Sequence, residues 1–382
     1  MLLENNPYPH DVRVRSEAES LVRAGHDVTV VAPRGVDQPR RETVNGVGVV
    51  RFRLIDGSTR GVAGFVLEYL MAAAALHREA VRGLVHGATV LHIHNPPDVF
   101  FAAGAVYRLA GRKVIFDHHD LFPETIAVKL GSPTAARLAE LAERLTLRVA
   151  NHVIATNESY AEVARRDGGK APADITVVRN GPPVAWTRLP ITERPGSLDE
   201  VAVLYLGAIS AQDGVEGLAP ILARLVHGPR PVGVRLTVVG DGDARPALSR
   251  ALAEHGVLEH VQFAGRVPPQ RVPEFLQAAD VCVDPAPATD VNARSTMTKI
   301  AEYLALAKPV VAYDLLETRR TAGDAALLVE PGNAEAFADA IARIGRDAAL
   351  RRDLSARARH RAASLTWEHS ERALLDVYDG LV

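Results

Sequence analysis

The chain has 382 residues, of which 47% are hydrophobic and 24% charged, with 44 Lys and Arg against 46 Asp and Glu. This composition indicates about two or three globular domains and excludes disordered, collagen-like and strongly basic nucleic-acid-binding chains. The single cysteine, Cys282, excludes an internal disulfide and a cysteine-based zinc site. No apolar run is long enough for a membrane-spanning helix, and the N-terminus lacks a signal-peptide pattern. We therefore expect a cytoplasmic protein and leave open a peripheral contact at the inner face of the membrane.

In the first half of the chain, short β-branched runs alternate with longer amphipathic runs rich in alanine and leucine. The predicted strands are 2–4, 27–32, 49–53, 90–94, 113–117, 152–155 and 175–178. The predicted helices are 12–24, 65–81, 98–109, 133–149 and 159–166. This order predicts a mostly parallel sheet covered on both faces. The first strand is unusually short, which indicates either a short strand or a start site a few codons upstream.

A turn cluster, Asn180-Gly181-Pro182-Pro183, separates this half from a second series of strands and helices. The second series has predicted strands at 201–206, 235–239, 261–264, 281–283, 309–312 and 326–329. Its predicted helices are 214–225, 245–255, 272–278, 296–306, 334–343 and a long one from 350. We predict an α/β fold of two doubly wound, Rossmann-like domains, 1–183 and 200–365, joined by a linker at 184–199. Such sheets bind ligands at the carboxyl ends of their strands, so two facing domains predict a central cleft.

The run from Ser295 to Tyr303 predicts an anion site at a helix start. Ser295 is a candidate N-cap, followed by Thr296, Met297 and Thr298. Lys299 and Glu302 follow at i+4 and i+7, on the same helix face. The helix N-terminus and Lys299 would attract an anion, and Glu302 could bind a ribose diol. A surface Lys299–Glu302 ion pair on a packing helix is an equally open alternative.

Two histidines, His118 and His119, and three acids, Asp117, Asp120 and Glu124, lie at and directly after the end of the predicted strand 113–117, where functional loops of this architecture lie. The candidate metal ligands among them are His118, His119 and Asp120. Three interpretations compete. A metal site has no ligand spacing to support it. A packed histidine is common. We favour a polar group that hydrogen-bonds a substrate.

The loop after the first strand carries His10 and Asp11 and leads into a helix with Arg13 and Arg15 near its start. Asp11 is a candidate helix cap. Cations in the first turns oppose the helix dipole, which indicates an anionic neighbour. A solvated helix face is an equally open alternative.

Glycines follow three predicted strands of the second half: Gly207, Gly240 with Gly242, and Gly265, which precedes Arg266 and Val267. None belongs to a Gly-x-Gly-x-x-Gly or Walker A motif, so the usual NAD and P-loop sites are excluded. Their position at consecutive strand ends predicts close approach of backbone to a ligand.

Over essentially its whole length the chain resembles the family 4 glycosyltransferases, which have the GT-B fold. The segments that carry the resemblance are Pro9-His-Asp11-Val-Arg13-Val, His118-His119-Asp120-Leu-x-Pro123-Glu124, Val178-x-Asn180-Gly181, Gln212-Asp213-Gly214-Val215, Ser295-Thr-Met-Thr-Lys299-Ile-x-Glu302-Tyr303-x-Ala305 and Leu365-Thr366-Trp367-Glu368. The fourth and fifth resemble a bacterial subgroup often tied to surface-polysaccharide and glycoconjugate assembly.

The resemblance implies that the C-terminal domain holds a nucleotide-diphosphate sugar, with UDP- or GDP-sugars expected. The N-terminal domain would hold the acceptor, which is a sugar, a lipid-linked glycan or a small molecule. Transfer would retain the anomeric configuration and need no metal or cofactor. His119 would lie near the sugar, Glu302 on the ribose, and the loop of Arg266 and Val267 near the base. The closing helix, 366–382, would pack back on the first domain.

The sequence departs from the family pattern in three places. Arg294 replaces the first Glu of the Glu-x7-Glu motif. Ala208 and Asp213 replace the Arg and Lys that commonly grip the diphosphate, and Ala307 replaces a common Gly. We therefore expect Lys299 to stabilise the diphosphate, with His119 and Glu302 as its partners in catalysis. The alternatives are a UDP-sugar 2-epimerase of the same fold and an inactive nucleotide-sugar-binding homologue.

Overall fold

The computed structural model describes residues 1–54, 61–191 and 200–381. They form two compact units, Met1–Arg179 with Ser370–Val382, and Asn180–His369. The first unit has two sheets and the second has one, largely parallel and combined with helices, so the predicted α/β class with two Rossmann-like domains is confirmed. Residues 192–199 of the predicted linker and residue 382 lie outside the described residues. The remainder of that linker contains a short helix, and Trp186 and Leu189 pack against the core of the second unit.

The first unit has seven strands and seven helices among the described residues, the last helix beginning in the second unit. The strands are β1 Thr29–Pro33, β2 Arg41–Val44, β3 Val47–Phe52, β4 Val90–His94, β5 Lys113–His118, β6 His152–Ala155 and β7 Ile175–Val177. The helices are α1 Val12–Arg23, α2 Gly61–Val85, α3 Phe101–Leu109, α4 Phe122–Leu130, α5 Pro133–Val149, α6 Glu158–Arg166 and α16 Trp367–Leu381.

Two sheets of the first unit meet at its N-terminal residues. One has the order β1-β3-β2, with β2 antiparallel, and the other is the parallel sheet β4-β5-β6-β7. Leu2 bridges Val31 on one side and Ile93 on the other. The predicted first strand is thus reduced to a single bridge residue. Strand β2 was not predicted, although the turn Asn45-Gly46, with both φ angles positive, is the usual signal of a two-residue hairpin.

The second unit contains the remaining elements. Its strands are β8 Glu200–Leu206, β9 Gly233–Val239, β10 Val261–Gly265, β11 Val281–Asp284, β12 Val310–Tyr313 and β13 Ala326–Val329. Its helices are α7 Val184–Thr187, α8 Leu218–His227, α9 Arg245–Glu254, α10 Val272–Ala278, α11 Asp290–Arg294, α12 Thr298–Ala305, α13 Leu316–Ala322, α14 Ala334–Arg346 and α15 Ala348–Ala362. The long helix predicted from residue 350 is α15, which ends at Ala362. The predicted closing helix, 366–382, is α16, which begins at Trp367 and belongs to the first unit from Ser370.

The sheet of the second unit has the order β10-β9-β8-β11-β12-β13, and every neighbouring pair is parallel. In chain order this is the 3-2-1-4-5-6 arrangement of the classical dinucleotide-binding fold. The order reverses between β8 and β11. Ligands of such sheets bind in the crevice outside the carboxyl ends of the strands at that reversal. The fold therefore places the candidate ligand site at the ends of β8 and β11, near Leu206 and Asp284.

None of the helices in the described ranges is both long enough and apolar enough to cross a membrane.

Candidate active site

The glycines predicted to approach a ligand lie at the carboxyl ends of β8, β9 and β10, but neighbouring backbone explains two of them. A Cβ atom on Gly240 would lie 1.8 Å from the carbonyl oxygen of Gly207, and one on Gly242 would lie 2.3 Å from that of Ile209. Gly240 also has a φ of +136°. These two positions need glycine because the loops after β8 and β9 pack on each other. A Cβ on Gly207 would lie 2.9 Å from Cε of Lys299, which lies against this loop.

The helix that carries Lys299 and Glu302 begins later than predicted. Thr289 caps the short helix α11, its side chain accepting a hydrogen bond from the amide of Asn292. Ser295 then ends α11, and α12 begins at Thr298 with Met297 at its N-cap position. The prediction that Ser295 caps the helix is therefore wrong, because the polar residues before it form a helix of their own. Lys299 and Glu302 still lie one turn apart on α12.

Lys299 is buried at the centre of a charged cluster. Its Nζ atom donates a hydrogen bond to Asp213 at 2.7 Å and contacts Asp284 at 3.3 Å. It also lies 4.9 Å from the ring centroid of Tyr205. The alternative of a surface ion pair with Glu302 is wrong, since only 6% of Lys299 is exposed and its partners are these acids. Burial alone would lower the pKa of Lys299, but Asp284, Tyr205 and Asp213 outweigh it and raise the pKa.

The two acids around Lys299 differ in their surroundings. Asp284 ends β11 and is 1% exposed, and burial raises its pKa although Lys299 opposes the shift. Asp213 keeps 20% of its side chain exposed and accepts a second hydrogen bond from the hydroxyl of Ser210. With both acids ionised the cluster carries a net charge of −1. Lys299 is thus a fixed cation whose charge is already compensated by the protein.

Glu302 lies half-buried on the same helix. Among the residues that the structure describes, none hydrogen-bonds or ion-pairs with its carboxylate. Burial raises the pKa of Glu302 to about 7, against the opposing effect of Lys299. A carboxylate with unused acceptor sites can take two hydrogen bonds from a diol. Tyr303, next to it, is instead structural, because its hydroxyl accepts a hydrogen bond from the amide of Leu206.

The other residues predicted to bind the donor differ in how far they are exposed. Arg266 is exposed after β10, while Val267 packs on the core. Arg294 is half-buried, and its Nε atom donates to the carbonyl of Asp290. Of the residues that lead into α12, Met297 is buried, Thr296 half-buried and Thr298 exposed. Ala307 has a φ of +54°, which explains why glycine is common at that position.

In the first unit, Asp11 and Arg13 take the roles that local sequence predicted. The Asp11 carboxylate accepts a hydrogen bond from the amide of Val14, so the cap is confirmed. Arg13 has the predicted anionic neighbour: its Nε and Nη2 atoms each donate to Asp117 at 2.7 Å. A third bond goes to the carbonyl of Val178. Arg13 is therefore a buried structural cation, while His10 beside it is exposed.

His118 and His119 point in opposite directions, as the alternation of an extended chain requires. His118 is fully buried, stacks near Phe116 and Tyr160, and lies 3.2 Å from Glu143. His119 keeps 12% of its side chain exposed, and its Nδ1 atom lies 3.4 Å from Asp117. Asp120 accepts a hydrogen bond from the amide of Leu121. These three residues do not converge, which excludes the metal site considered for them.

Two site residues of the first unit were missed, His94 and Asn95, and Asp117 belonged to the predicted motif without a role of its own. The Asn95 side chain accepts hydrogen bonds from the amides of His119 and Asp120 and donates one to the carbonyl of Asp120. His94 Nδ1 lies 2.9 Å from Asp117. The available signal was three polar residues, His92, His94 and Asn95, inside and after a buried strand, where alternation puts His92 and His94 on one face.

One group of side chains has the spacing of a metal site. Ligand atoms of Glu17, His92, His94 and Asp117 all lie within 4.8 Å of one another. Arg13, however, binds both Asp117 oxygens and lies 3.2 Å from Glu17. The guanidinium already supplies the positive charge that these carboxylates require. Burial alone would raise the pKa of Asp117, but Arg13, His119 and His94 together hold it well below its usual range. We interpret the group as an internal ion-pair network.

Both units match known sequence families. Residues 10–181 match the glycosyl transferase 4-like domain, and residues 200–347 match glycosyl transferases group 1. The phosphatidyl-myo-inositol mannosyltransferase of Mycobacterium leprae is 26% identical over 98% of this chain and 95% of its own. The alpha-D-kanosaminyltransferase of Streptomyces kanamyceticus is 28% identical over 43% of this chain. That match spans 41% of the kanosaminyltransferase, less than two thirds of its length.

A solved structure supports the same fold. Anabaena HepE, crystallised in complex with UDP, superposes with a TM-score of 0.72 at 18% identity, over 100% of this chain and 99% of its own. The two Rossmann-like units and this likeness define the GT-B fold. With the two family matches, which together account for most of the sequence, the chain belongs to the family 4 glycosyltransferases.

Proposed function

We propose that the protein transfers a sugar from a nucleotide-diphosphate donor, with UDP- and GDP-sugars as first candidates, to an acceptor hydroxyl. The single observation that carries the proposal is that Lys299 and Glu302 lie one turn apart on α12, beside the reversal point of the second sheet. One offers a fixed cation and the other an unused carboxylate. A diphosphate requires a cation, and the ribose hydroxyls require a hydrogen-bond acceptor.

In this proposal the second unit binds the donor. Glu302 accepts hydrogen bonds from the ribose hydroxyls, and Arg266 and Val267 lie near the base. The leaving diphosphate gains negative charge as its bond to the sugar breaks. Lys299 and the N-terminus of α12 stabilise that charge. Since burial fixes Lys299 before the donor arrives, it costs no reorganisation during reaction.

The first unit binds the acceptor, and His119 contacts the transferred sugar. The acceptor classes we propose are a sugar, a lipid-linked glycan or a small molecule, in glycoconjugate, polysaccharide or natural-product synthesis. The name of the mycobacterial relative refers to a phosphatidyl-myo-inositol acceptor, which supports the lipid-linked class. We further propose transfer with retention of configuration, without a metal or cofactor. The protein would work in the cytoplasm, with peripheral contact at the inner face of the membrane where the acceptor is a lipid.

A thermal-shift screen of UDP-, GDP-, TDP- and CDP-sugars tests the donor assignment. A ligand present at 100 times its dissociation constant adds about 2.7 kcal/mol to the free energy of unfolding. We expect one base to stabilise the wild type and to lose that effect in Glu302→Gln. Absence of any shift across the panel would contradict nucleotide binding. Interconversion of UDP-sugars without an acceptor would support the epimerase instead.

A further inference from the structure

Two buried side chains hold His119 from different sides. Asp117 lies against the Nδ1 edge of its imidazole, 3.4 Å away. Asn95 holds the backbone of His119 and Asp120. Its Oδ1 atom accepts hydrogen bonds from both amides, and its Nδ2 atom donates to the carbonyl of Asp120, all at 2.7–3.0 Å. Both side chains are 0% exposed. Burial keeps both side chains from a ligand, and each contacts His119 or the residue next to it.

The charge of Asp117 determines which ring nitrogen of His119 carries the proton. Arg13 keeps Asp117 ionised, and an ionised carboxylate only accepts hydrogen bonds. His119 Nδ1 faces this carboxylate at 3.4 Å without a hydrogen bond, and a hydrogen on Nδ1 is favoured there because a nitrogen lone pair would be repelled. In the neutral ring, Nε2 is then the acceptor. The Nδ1 atom is buried, so the 12% of the side chain that stays exposed belongs to the rest of the ring.

We propose that Asp117 and Asn95 are positioning residues that present the Nε2 atom of His119 as a hydrogen-bond acceptor to a sugar hydroxyl. The proposal rests on the function proposed above, in which His119 contacts the transferred sugar. Asp117 fixes the tautomer and the ring plane of His119, while Asn95 fixes the position of the backbone that carries this ring. A displacement of about 1 Å at such a contact can cost a factor of roughly 100 in rate.

The tautomer can be measured without any activity assay. Nitrogen-15 NMR of the full chain, labelled at histidine, reports which nitrogen of each ring carries hydrogen, and a His119→Gln variant assigns the His119 signals. We expect the Nδ1–H form in the wild type and a mixture of tautomers in Asp117→Asn. The Nε2–H form in the wild type would overturn the proposal. This readout stands even if the transferase function fails.

Kinetics of Asn95 variants supply the second test. Asn95→Asp keeps the oxygen that accepts from both amides, whereas Asn95→Leu removes all three bonds. We expect kcat to fall roughly 10- to 100-fold in Asn95→Leu and less in Asn95→Asp, with nucleotide affinity unchanged in both. The matched control is Asn151→Leu, because Asn151 bonds the amide of Val114 at the other end of β5.

The control separates positioning from stability. If Asn95 were merely structural, Asn95→Leu and Asn151→Leu would both lower the melting temperature and both leave kcat unchanged. Equal kcat in these two variants would therefore overturn the role of Asn95. Absence of sugar transfer by the wild type with every donor would instead contradict the proposed function, while the NMR result would still test the role of Asp117.

Discussion

Lys299 donates a hydrogen bond of 2.7 Å to Asp213, where the family resemblance leads us to expect a cation. The two residues are 86 positions apart in sequence, Lys299 on helix α12 and Asp213 in the loop after β8. The cation of this site is thus supplied by α12 and anchored by the loop after β8. A lysine therefore lies at the reversal point, but Asp213 and Asp284 already compensate its charge.

Replacing Lys299 by Met tests the role of that charge. We expect kcat to fall roughly a hundredfold, the effect of removing one preorganised charge-stabilising donor, with a smaller rise in KM. Arg294→Ala should do less. The control is Lys308→Met, because Lys308 is also buried but bonds only the carbonyls of Gln277 and Ala279. That variant should lose stability and keep its kcat. A near-normal kcat in Lys299→Met would show that the charge comes from elsewhere.

Replacing Asp213 by Asn should strengthen nucleotide-diphosphate binding. Asp213 competes with the diphosphate for Lys299, and the asparagine keeps the shape of the side chain without its charge. Removing one repulsion of about 1 kcal/mol would tighten the dissociation constant about fivefold. Calorimetric titration with nucleoside diphosphate measures it, with Asp314→Asn, from an exposed ion pair with Arg319, as the control. Weaker binding by Asp213→Asn would mean that the acid chiefly holds Lys299 in place.

Nucleotide binding should become tighter as pH rises from 6 to 8. The pKa of Glu302 is raised to about 7 in the folded protein, so its carboxylate is mostly protonated at pH 6 and mostly ionised at pH 8. If the ribose requires the ionised form, affinity rises about tenfold over this range. Titrations of Glu302→Gln at the same pH values supply the control, since they retain the nucleotide's own ionisation. An identical pH profile in the variant would contradict the assignment.

The same substitution has an effect of known sign on stability. Between its ordinary pKa of 4.5 and about 7, Glu302 holds its proton more tightly in the folded state than in the unfolded state. The free energy of unfolding therefore decreases as pH rises through this window. Glu302→Gln removes that loss, so at pH 8 its melting temperature should equal or exceed that of the wild type. A large decrease would indicate that Glu302 is needed for folding.

His118 and His119 should separate stability from turnover. His119→Ala is expected to reduce turnover while nucleotide-diphosphate binding survives, because His119 belongs to the acceptor-binding unit. His118→Ala should instead lower the melting temperature, since it empties a buried position between Phe116 and Tyr160. Turnover and melting curves of the two variants decide the matter. Loss of turnover in a stable His118→Ala, with an active His119→Ala, would reverse the assignment.

Activity should be unchanged in excess chelator. The group with metal-ligand spacing, Glu17 with His92, His94 and Asp117, already contains the guanidinium of Arg13. Activity that is abolished by chelator and restored by magnesium or manganese would contradict the proposal of metal-independent transfer.

Local patterns predicted most of the fold. Strand–helix alternation was sufficient for the class, and α5, α10 and β13 have the predicted ends. Helices α4, α7, α11 and α13, of nine, four, five and seven residues, were missed. A hydrophobic period is hard to see in so short a helix, although α10, with seven residues, was predicted. The predicted cap at Ser295 failed for the same reason.

In the candidate site, only features that depend on neighbours in sequence were predicted. The capping by Asp11 and the opposite directions of His118 and His119 depend on a few neighbouring residues. The pairing of Arg13 with Asp117 spans 104 positions, and that of Lys299 with Asp213 spans 86. Such pairs are set by the order of strands in the sheet, which one sequence does not fix. Local reasoning therefore indicated that Arg13 needs an anion without identifying Asp117.

The most direct test of sugar transfer is the product itself. The wild type is incubated with the nucleotide sugar that stabilises it and a panel of glycoside and lipid-linked acceptors, and the products are analysed by NMR. We predict equal amounts of nucleoside diphosphate and a new glycoside whose anomeric carbon has the configuration of the donor. A glycoside of inverted configuration would contradict the retaining mechanism, and nucleotide binding without turnover on any acceptor would contradict the transferase itself.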